Sequence, residues 1–430
     1  MASLRCSSLV AITLCAVAFA PVPSDGDLPD RRSTPEPEEA MISERAEKSL
    51  VAEDLGLAVL QEGGQGSQVA SRLQPPDPAE IGRCIVLRYQ SEPEVGFSYA
   101  IAENGVVATS GAGGFARAPW EPVSPNVVMN DDTRMTIASV SKPITAMAMM
   151  KVMEDHGIGL DDPFYPLISA DYDGWWFDSG GQLLWVPNPA VETVTIRNLL
   201  THRSGLKPGL GCGKIPEILA SAPTGIPGVS WDYENANFCI VRKVIEAVTG
   251  MNYIDYVQDH FLTPSGITAM SCEPDPVDPA LYYNTIGSNG VVWGGYSASC
   301  SAYGWYASAV DLATLLGNLR TGGLLSNASV TAMLGNCPDN DNNGYCLGWS
   351  RASSAAMGGS YFGHSGDWIS SGCGGDCNRG LNSTIRRYPL GIDAAILVNT
   401  RSGAGGNPTL TSEAAILNQC YAEALANANP

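Results

Sequence analysis

The sequence predicts an α/β chain whose strands open and close the domain, with a largely helical part inserted between the two sheet segments. Three observations carry this. "GFSYAIAENGVVATSGAGGFARA" holds two alternating runs joined at Asn104-Gly105, the dipeptide of a tight hairpin. "GIDAAILVNT", late in the chain, reads as a buried strand. The region between them is dominated by helical spacing, as in "FCIVRKVIEAVTG".

Taken in order, the chain begins with "MASLRCSSLVAITLCAVAFA", one Arg followed by an apolar run that ends in small residues. Residues 1–20 read as a secretory signal, with cleavage after Ala18 or Ala20, and the run is too short for a membrane anchor. The expectation is a secreted or periplasmic protein with no stable membrane anchor. Residues 21–82 read as a disordered or pro-segment. Positions 21–80 hold thirteen acidic and five basic residues and no aromatic, too little apolar surface to offset ordering. Residues 83–430 are expected to form the domain.

Within it, "SVSKPITAMAMMKVMEDHG" reads as a helix with Pro143 in its first turn and Gly157 at its end. "DYDGWWFDSGGQLLW" is an aromatic-rich insertion, where Trp175, Trp176 and Trp185 either pack on themselves or roof a cleft. "TVTIRNLLTHRSGL" starts β-like and becomes a short helix, with Arg203 expected on the surface. "FCIVRKVIEAVTG" stops at Gly250. Ser308-x-x-Asp311 opens the next helix as a capping box, and "SEAAILNQCYAEALA" closes the chain as a helix.

Net charge is −20 with 24 basic residues, which leaves no electrostatic case for a nucleic-acid partner. Of 12 Cys, Cys6 and Cys15 fall in the signal; the remaining ten read as disulfides of an oxidising compartment. Cys337–Cys346 and Cys373–Cys377 look like local pairs, and the rest of the connectivity stays open. "DNDNNG" (339–344) lacks the closing Glu of a calcium loop and reads as a solvated turn. No metal and no cofactor is expected.

Three short motifs could carry chemistry. Ser139-x-x-Lys142 puts a hydroxyl and an amine on one face of a helix start, where the amine can take the proton of an otherwise weak nucleophile. A second S-x-x-K, Ser204 to Lys207, lies among Gly205, Pro208 and Gly209 and has no common face. Tyr233-x-Asn235 offers a phenol for proton relay and an amide to hold a substrate carbonyl. His364-Ser365-Gly366 sets an imidazole beside a glycine that allows close backbone approach. His202 and Asp232 read as structural, since nothing in the sequence places them near Ser139.

In order and rough separation, S-x-x-K, Y-x-N and H-x-G resemble the three-part signature of the serine β-lactamase and DD-peptidase superfamily. The nearest branch is that of the class C β-lactamases, with its family VIII esterases and an H-x-G DD-carboxypeptidase. "TIASVSKPITA", "TIRNLLTHRSGL", "YASAVDLATLL" and "YCLGW" add to the resemblance, which spans roughly residues 84–422. It implies an α+β sandwich: an antiparallel sheet flanked by helices, with an inserted mostly helical subdomain. It also implies roles. Ser139 becomes acylated, and Lys142 and Tyr233 transfer protons. Asn235 holds the acyl carbonyl, and His364 polarises Tyr233 or the substrate. Ser365, Gly366 and Asp367 line the substrate, and the N–H groups of Ser139 and Asp367 form the oxyanion hole. Asp367 stands where the family has a small uncharged residue. Pointing inward, its carboxylate would raise the pKa of His364 and repel substrate carboxylates.

The sequence therefore points to a secreted serine hydrolase acting on a small ester or amide, an esterase first. A DD-carboxypeptidase or β-lactamase is second, and a non-catalytic receptor or scaffold on the same fold is the third reading. Oligomeric state is not legible.

Overall fold

A computed structural model describes residues 73–430 except 123–124, 179, 339–343, 370–378 and 402–410. The signal, residues 21–72, the Cys373–Cys377 pair and most of the 339–344 turn lie outside the described residues.

In chain order the strands are β1 (Gly96–Glu103), β2 (Val106–Arg117), β3 (Val127–Val128), β4 (Met135–Thr136), β5 (Gly174–Phe177), β6 (Leu183–Val186) and β7 (Tyr306–Ala307). They are followed by β8 (Ser350–Ser354), β9 (Gly359–Ile369), β10 (Gly380–Arg387) and β11 (Ile392–Val398). Seven of them form one antiparallel sheet in the order β3-β2-β1-β11-β10-β9-β8. The two ends of the domain thus meet in mid-sheet, where β1 pairs with β11. Asn104 and Gly105, both at positive φ (49° and 95°), make the tight turn that their dipeptide predicts.

Both faces of the sheet are covered, which is why "IDAAILV" in β11 is wholly buried and, apart from Asp393, which pairs with Arg320, apolar without alternation. Ile392, Ala394, Ile396 and Val398 face a cluster with Ile81, Ile85, Leu417 and Tyr421, from the helices Pro78–Tyr89 and Glu413–Ala428. Ala395 and Leu397 face the larger cluster, built on the helices Ser141–His156, Asn235–Thr249 and Ala309–Arg320. The first helix starts at Pro78, capped by Asp77 and ahead of the expected start at Arg83.

Ser141–His156 is the central helix. It is buried from Ser141 to Met150 on every side, as a helix without a polar stripe must be, and Gly157 ends it at φ 68°. Asn235–Thr249 begins three residues before the apolar pattern does, so Asn235 occupies its first turn. Ser308 and Asp311 form the capping box, and Thr195 with Asn198 forms another at the short helix Ile196–Leu200. β5 and β6 make a hairpin in which Trp176 stacks on Tyr172 and donates to its carbonyl at 3.2 Å. Four disulfides are formed among the described residues: Cys84–Cys420, Cys212–Cys239, Cys272–Cys300 and Cys337–Cys346. The last is one of the two local pairs read from the sequence.

Candidate active site

Ser139 sits in a single 3₁₀ turn, Ala138–Val140, that runs directly into the central helix. Ala138 is at φ 44°, a left-handed backbone that costs a non-glycine residue about 1–3 kcal/mol. The surroundings hold it there. Ile137 donates its N–H to the Trp305 carbonyl at 2.9 Å, and its own carbonyl accepts from Ser383 Oγ at 2.7 Å. Gly366 on β9 presses against the same turn: a Cβ there would overlap the Ile137 carbonyl and Ser383 Oγ. This is the close approach for which the motif's glycine is needed.

One helical turn on, Lys142 is fully buried. Its Nζ lies 3.0 Å from Ser139 Oγ, 2.7 Å from Asn235 Oδ1 and 3.1 Å from the Ala302 carbonyl. It also stands 4.6 Å over the Tyr233 ring. An ammonium would donate to all three oxygens. A neutral amine would donate to Asn235 and Ala302 and turn its lone pair to the Ser139 hydroxyl. The geometry accommodates both states, as a proton acceptor requires. The Ala302 carbonyl is a member of the site that no side-chain motif reveals.

His364 on β9 is buried, and its Nδ1 donates to the Ser365 carbonyl at 2.7 Å. Nε2 therefore accepts, from the Tyr345 hydroxyl at 3.1 Å. Burial first, and the charge of Lys142 second, push its pKa down to about 3, so the ring is neutral. The His364 and Tyr233 rings are near neighbours, with centroids 6.3 Å apart. Tyr345, in the "YCLGW" stretch, was not singled out by sequence.

Residues on a strand alternate, and Gly366 faces the Ser139 turn, so Ser365 and Asp367 point to the other face of the sheet. There Ser365 Oγ meets Thr384 Oγ1 and Arg386 Nη2, each at 3.3 Å. Asp367 pairs with buried Arg401 through both carboxylate oxygens, one of the contacts at 2.6 Å. The expectation that Asp367 points inward and raises the pKa of His364 is thus overturned: the carboxylate is turned away and neutralised, and the imidazole's pKa falls.

One further expectation is corrected: Arg203 is buried and donates to the Val229 carbonyl at 3.0 Å. His202, read as structural, lies with its ring centroid 4.2 Å from that of Tyr233, and Asp232 donates its N–H to the His202 carbonyl at 2.8 Å. The structure thus brings Ser139, Lys142, Tyr233, Asn235 and Gly366 to one place, with His364 behind them. Lys207, in the second S-x-x-K, instead lies 3.7 Å from Glu217.

A family model described as Beta-lactamase matches residues 88–417. The putative penicillin-binding protein PbpX of Bacillus subtilis (strain 168) is 29% identical over 212 residues, covering 46% of this chain and 48% of that protein. The ML-236A carboxylate methylbutanoyltransferase mlcH of Penicillium citrinum is 29% identical over 163 residues, covering 33% and 38%. The chain thus spans under half the length of these curated relatives. Among solved structures, the D-amino acid amidase from Ochrobactrum anthropi SV3, complexed with L-phenylalanine amide, superposes with a TM-score of 0.61 at 18% identity. That match covers 82% of this chain and 99% of the amidase, a likeness of fold.

Proposed function

The chain belongs to the beta-lactamase family, and from that membership and the geometry around Ser139 we propose a serine hydrolase that forms an acyl-enzyme on Ser139. The observation that carries the proposal is the fully buried Lys142 Nζ, 3.0 Å from Ser139 Oγ and held by Asn235 and Ala302. In the acylation step Ser139 Oγ attacks the substrate carbonyl and its proton passes to Lys142. The backbone N–H groups of Ser139 and Asp367 receive the developing oxyanion, and the leaving group takes a proton relayed by Lys142 and Tyr233. Water then cleaves the acyl-Ser139 ester by the reverse proton path. Asn235, from the first helical turn, is assigned the acyl carbonyl, and Gly366 the close approach of β9.

The substrate reading is a small or medium acyl ester, because neutral His364 supplies no fixed positive charge for a carboxylate. A DD-carboxypeptidase or β-lactamase is the second reading, and one observation favours it: with Asp367 tied to Arg401, nothing from that carboxylate repels an anionic substrate. The four disulfides suit secretion. No helix among the described residues is long and apolar enough to cross a membrane.

The test compares p-nitrophenyl butyrate, nitrocefin and a D-Ala-D-Ala peptide on the wild type and Ser139→Ala. Ester turnover that disappears in the variant supports the first reading, and nitrocefin or peptide turnover moves the assignment to the second. A fluorophosphonate that fails to label the peptide holding Ser139 leaves the binding-module reading standing instead.

A further inference from the structure

We propose that His202 is a positioning residue that clamps Tyr233 from three sides and thereby sets the phenol against Lys142. The carbonyl of His202 accepts the N–H of Asp232, the residue before Tyr233, at 2.8 Å. Its Nδ1 accepts the N–H of Glu234, the residue after, at 3.1 Å. Its ring lies against the Tyr233 ring between these two bonds, at 4.2 Å between centroids and 35° between planes. One residue thus holds both neighbours of Tyr233, Asp232 through its backbone carbonyl and Glu234 through its ring nitrogen.

The local backbone explains why an external clamp is needed. Glu234 is the N-cap of the helix that starts at Asn235, yet its extended backbone (φ −131°, ψ 126°) carries no side-chain cap bond. Its carboxylate is turned instead to the N–H of Gly209 at 3.2 Å. The residues that present Tyr233 and Asn235 thus lie in chain without regular secondary structure, directly in front of a helix whose N-cap is not closed by its own side chain. His202 supplies what the cap does not. Because Nδ1 accepts a backbone N–H, the ring proton sits on Nε2. Asn237 Nδ2, 3.2 Å from the same Nδ1, extends the contact into the first helical turn. On its other sides the ring meets Phe238 (5.2 Å) and Tyr345 (4.9 Å), the latter being the hydroxyl partner of His364. The residue itself is fully buried at φ 55°, a conformation that glycine and asparagine tolerate and most side chains do not.

The consequence for turnover rests on the hydrolase reading above; the clamp does not. The experiment therefore has two arms, on His202→Ala, His202→Asn and each combined with Tyr233→Phe, with thermal unfolding run on all. In hydrogen exchange on the peptide spanning residues 231–238, His202→Ala is expected to speed exchange at Glu234. His202→Asn, which keeps an acceptor and tolerates the left-handed backbone, is expected to restore part of the protection. Unchanged exchange in His202→Ala overturns the clamp.

In ester turnover, His202→Ala is expected to lower kcat by about 10²-fold with KM within about threefold, the scale of a misplaced catalytic group. His202→Asn should recover about tenfold of that, and in the Tyr233→Phe background the His202→Ala loss should shrink to under about threefold, because the two act as one unit. A full additional loss in that background shows a merely structural residue and overturns the positioning role. A wild type with no turnover on any acyl substrate sinks the hydrolase reading alone, and the exchange arm then decides the clamp by itself.

Discussion

Lys142 is where the chemistry is most exposed to a single-residue test. If it accepts the Ser139 proton, it must be able to exist as a neutral amine, which arginine cannot do at any ordinary pH. Lys142→Arg keeps the charge and the donors to Asn235 and Ala302. The expected result is a loss of ester turnover of about 10³-fold, within the range for a lost general base, in a protein that still folds. Turnover within tenfold of the wild type would remove Lys142 from that role. His364 gives a pH prediction with a fixed sign. Its folded pKa is about 3, against an ordinary value of 6.5. Between these, the unfolded chain binds a proton that the folded chain refuses, so stability falls as pH drops through that window. Burial pushes the pKa of His202 well down too, so the same loss has two sources. The fall in melting temperature between pH 7 and pH 5 should therefore be smaller in His364→Asn than in the wild type, though not absent. An equal fall in both proteins would show that His364 is not held neutral.

At the scale of elements, β9 does two things with its alternation. Gly366 faces the Ser139 turn, and two residues on Trp368 faces the same way. Its ring lies 4.6 Å from that of Tyr303, 5.5 Å from Tyr296 and 6.1 Å from Trp293. This aromatic wall is tied to the nucleophile's surroundings at both ends. Tyr303 follows Ala302, whose carbonyl holds Lys142, and Trp293 stacks on Tyr282, whose hydroxyl accepts the Thr136 N–H at 2.9 Å. Trp368→Ala should therefore cost kcat/KM on p-nitrophenyl butyrate about tenfold more than on the acetate, the worth of two methylenes against an apolar wall. Equal losses on the two esters would place the wall outside the acyl path. The contrast between what was legible here and what was not has a physical basis. The hairpin at Asn104-Gly105, the buried run of β11, the capping box at Ser308 and the helix stops at Gly157 and Gly250 are written in local residue chemistry, and sequence exposes them. The S-x-x-K, Y-x-N and H-x-G spacings are local as well. The Ala302 carbonyl is a backbone group from a segment far along the chain, and His202 reaches Tyr233 only because the chain returns to it, so neither leaves a local pattern. Arg203 looked exposed because an isolated Arg usually is, and the Asp367 carboxylate looked inward because alternation on β9 has no phase until Gly366 is seen to face Ser139.

Over the molecule, the four disulfides among the described residues divide into two kinds, and the division predicts different losses. Cys84–Cys420 closes a span of 336 residues and joins the two helices on the sheet face away from Ser139. The other three each lie next to a residue of the site. Cys300 is two residues from Ala302, Cys346 adjoins Tyr345, and Cys239 is one helical turn beyond Asn235, whose carbonyl its Sγ contacts at 3.2 Å. Those spans are 28, 9 and 27 residues, so each constrains a local segment rather than the chain as a whole. Replacing Cys84 and Cys420 together by Ser should lower the melting temperature, the cost being about 2–4 kcal/mol for a native crosslink, with kcat nearly unchanged. Replacing Cys272 and Cys300 together should instead lower kcat by about 10-fold or more in protein still folded at the assay temperature, because the carbonyl that holds Lys142 loses its tether. Purified double variants, assayed on one ester well below their melting temperatures, decide the matter. If both pairs change stability alone, the crosslinks serve the fold and the site stands without them.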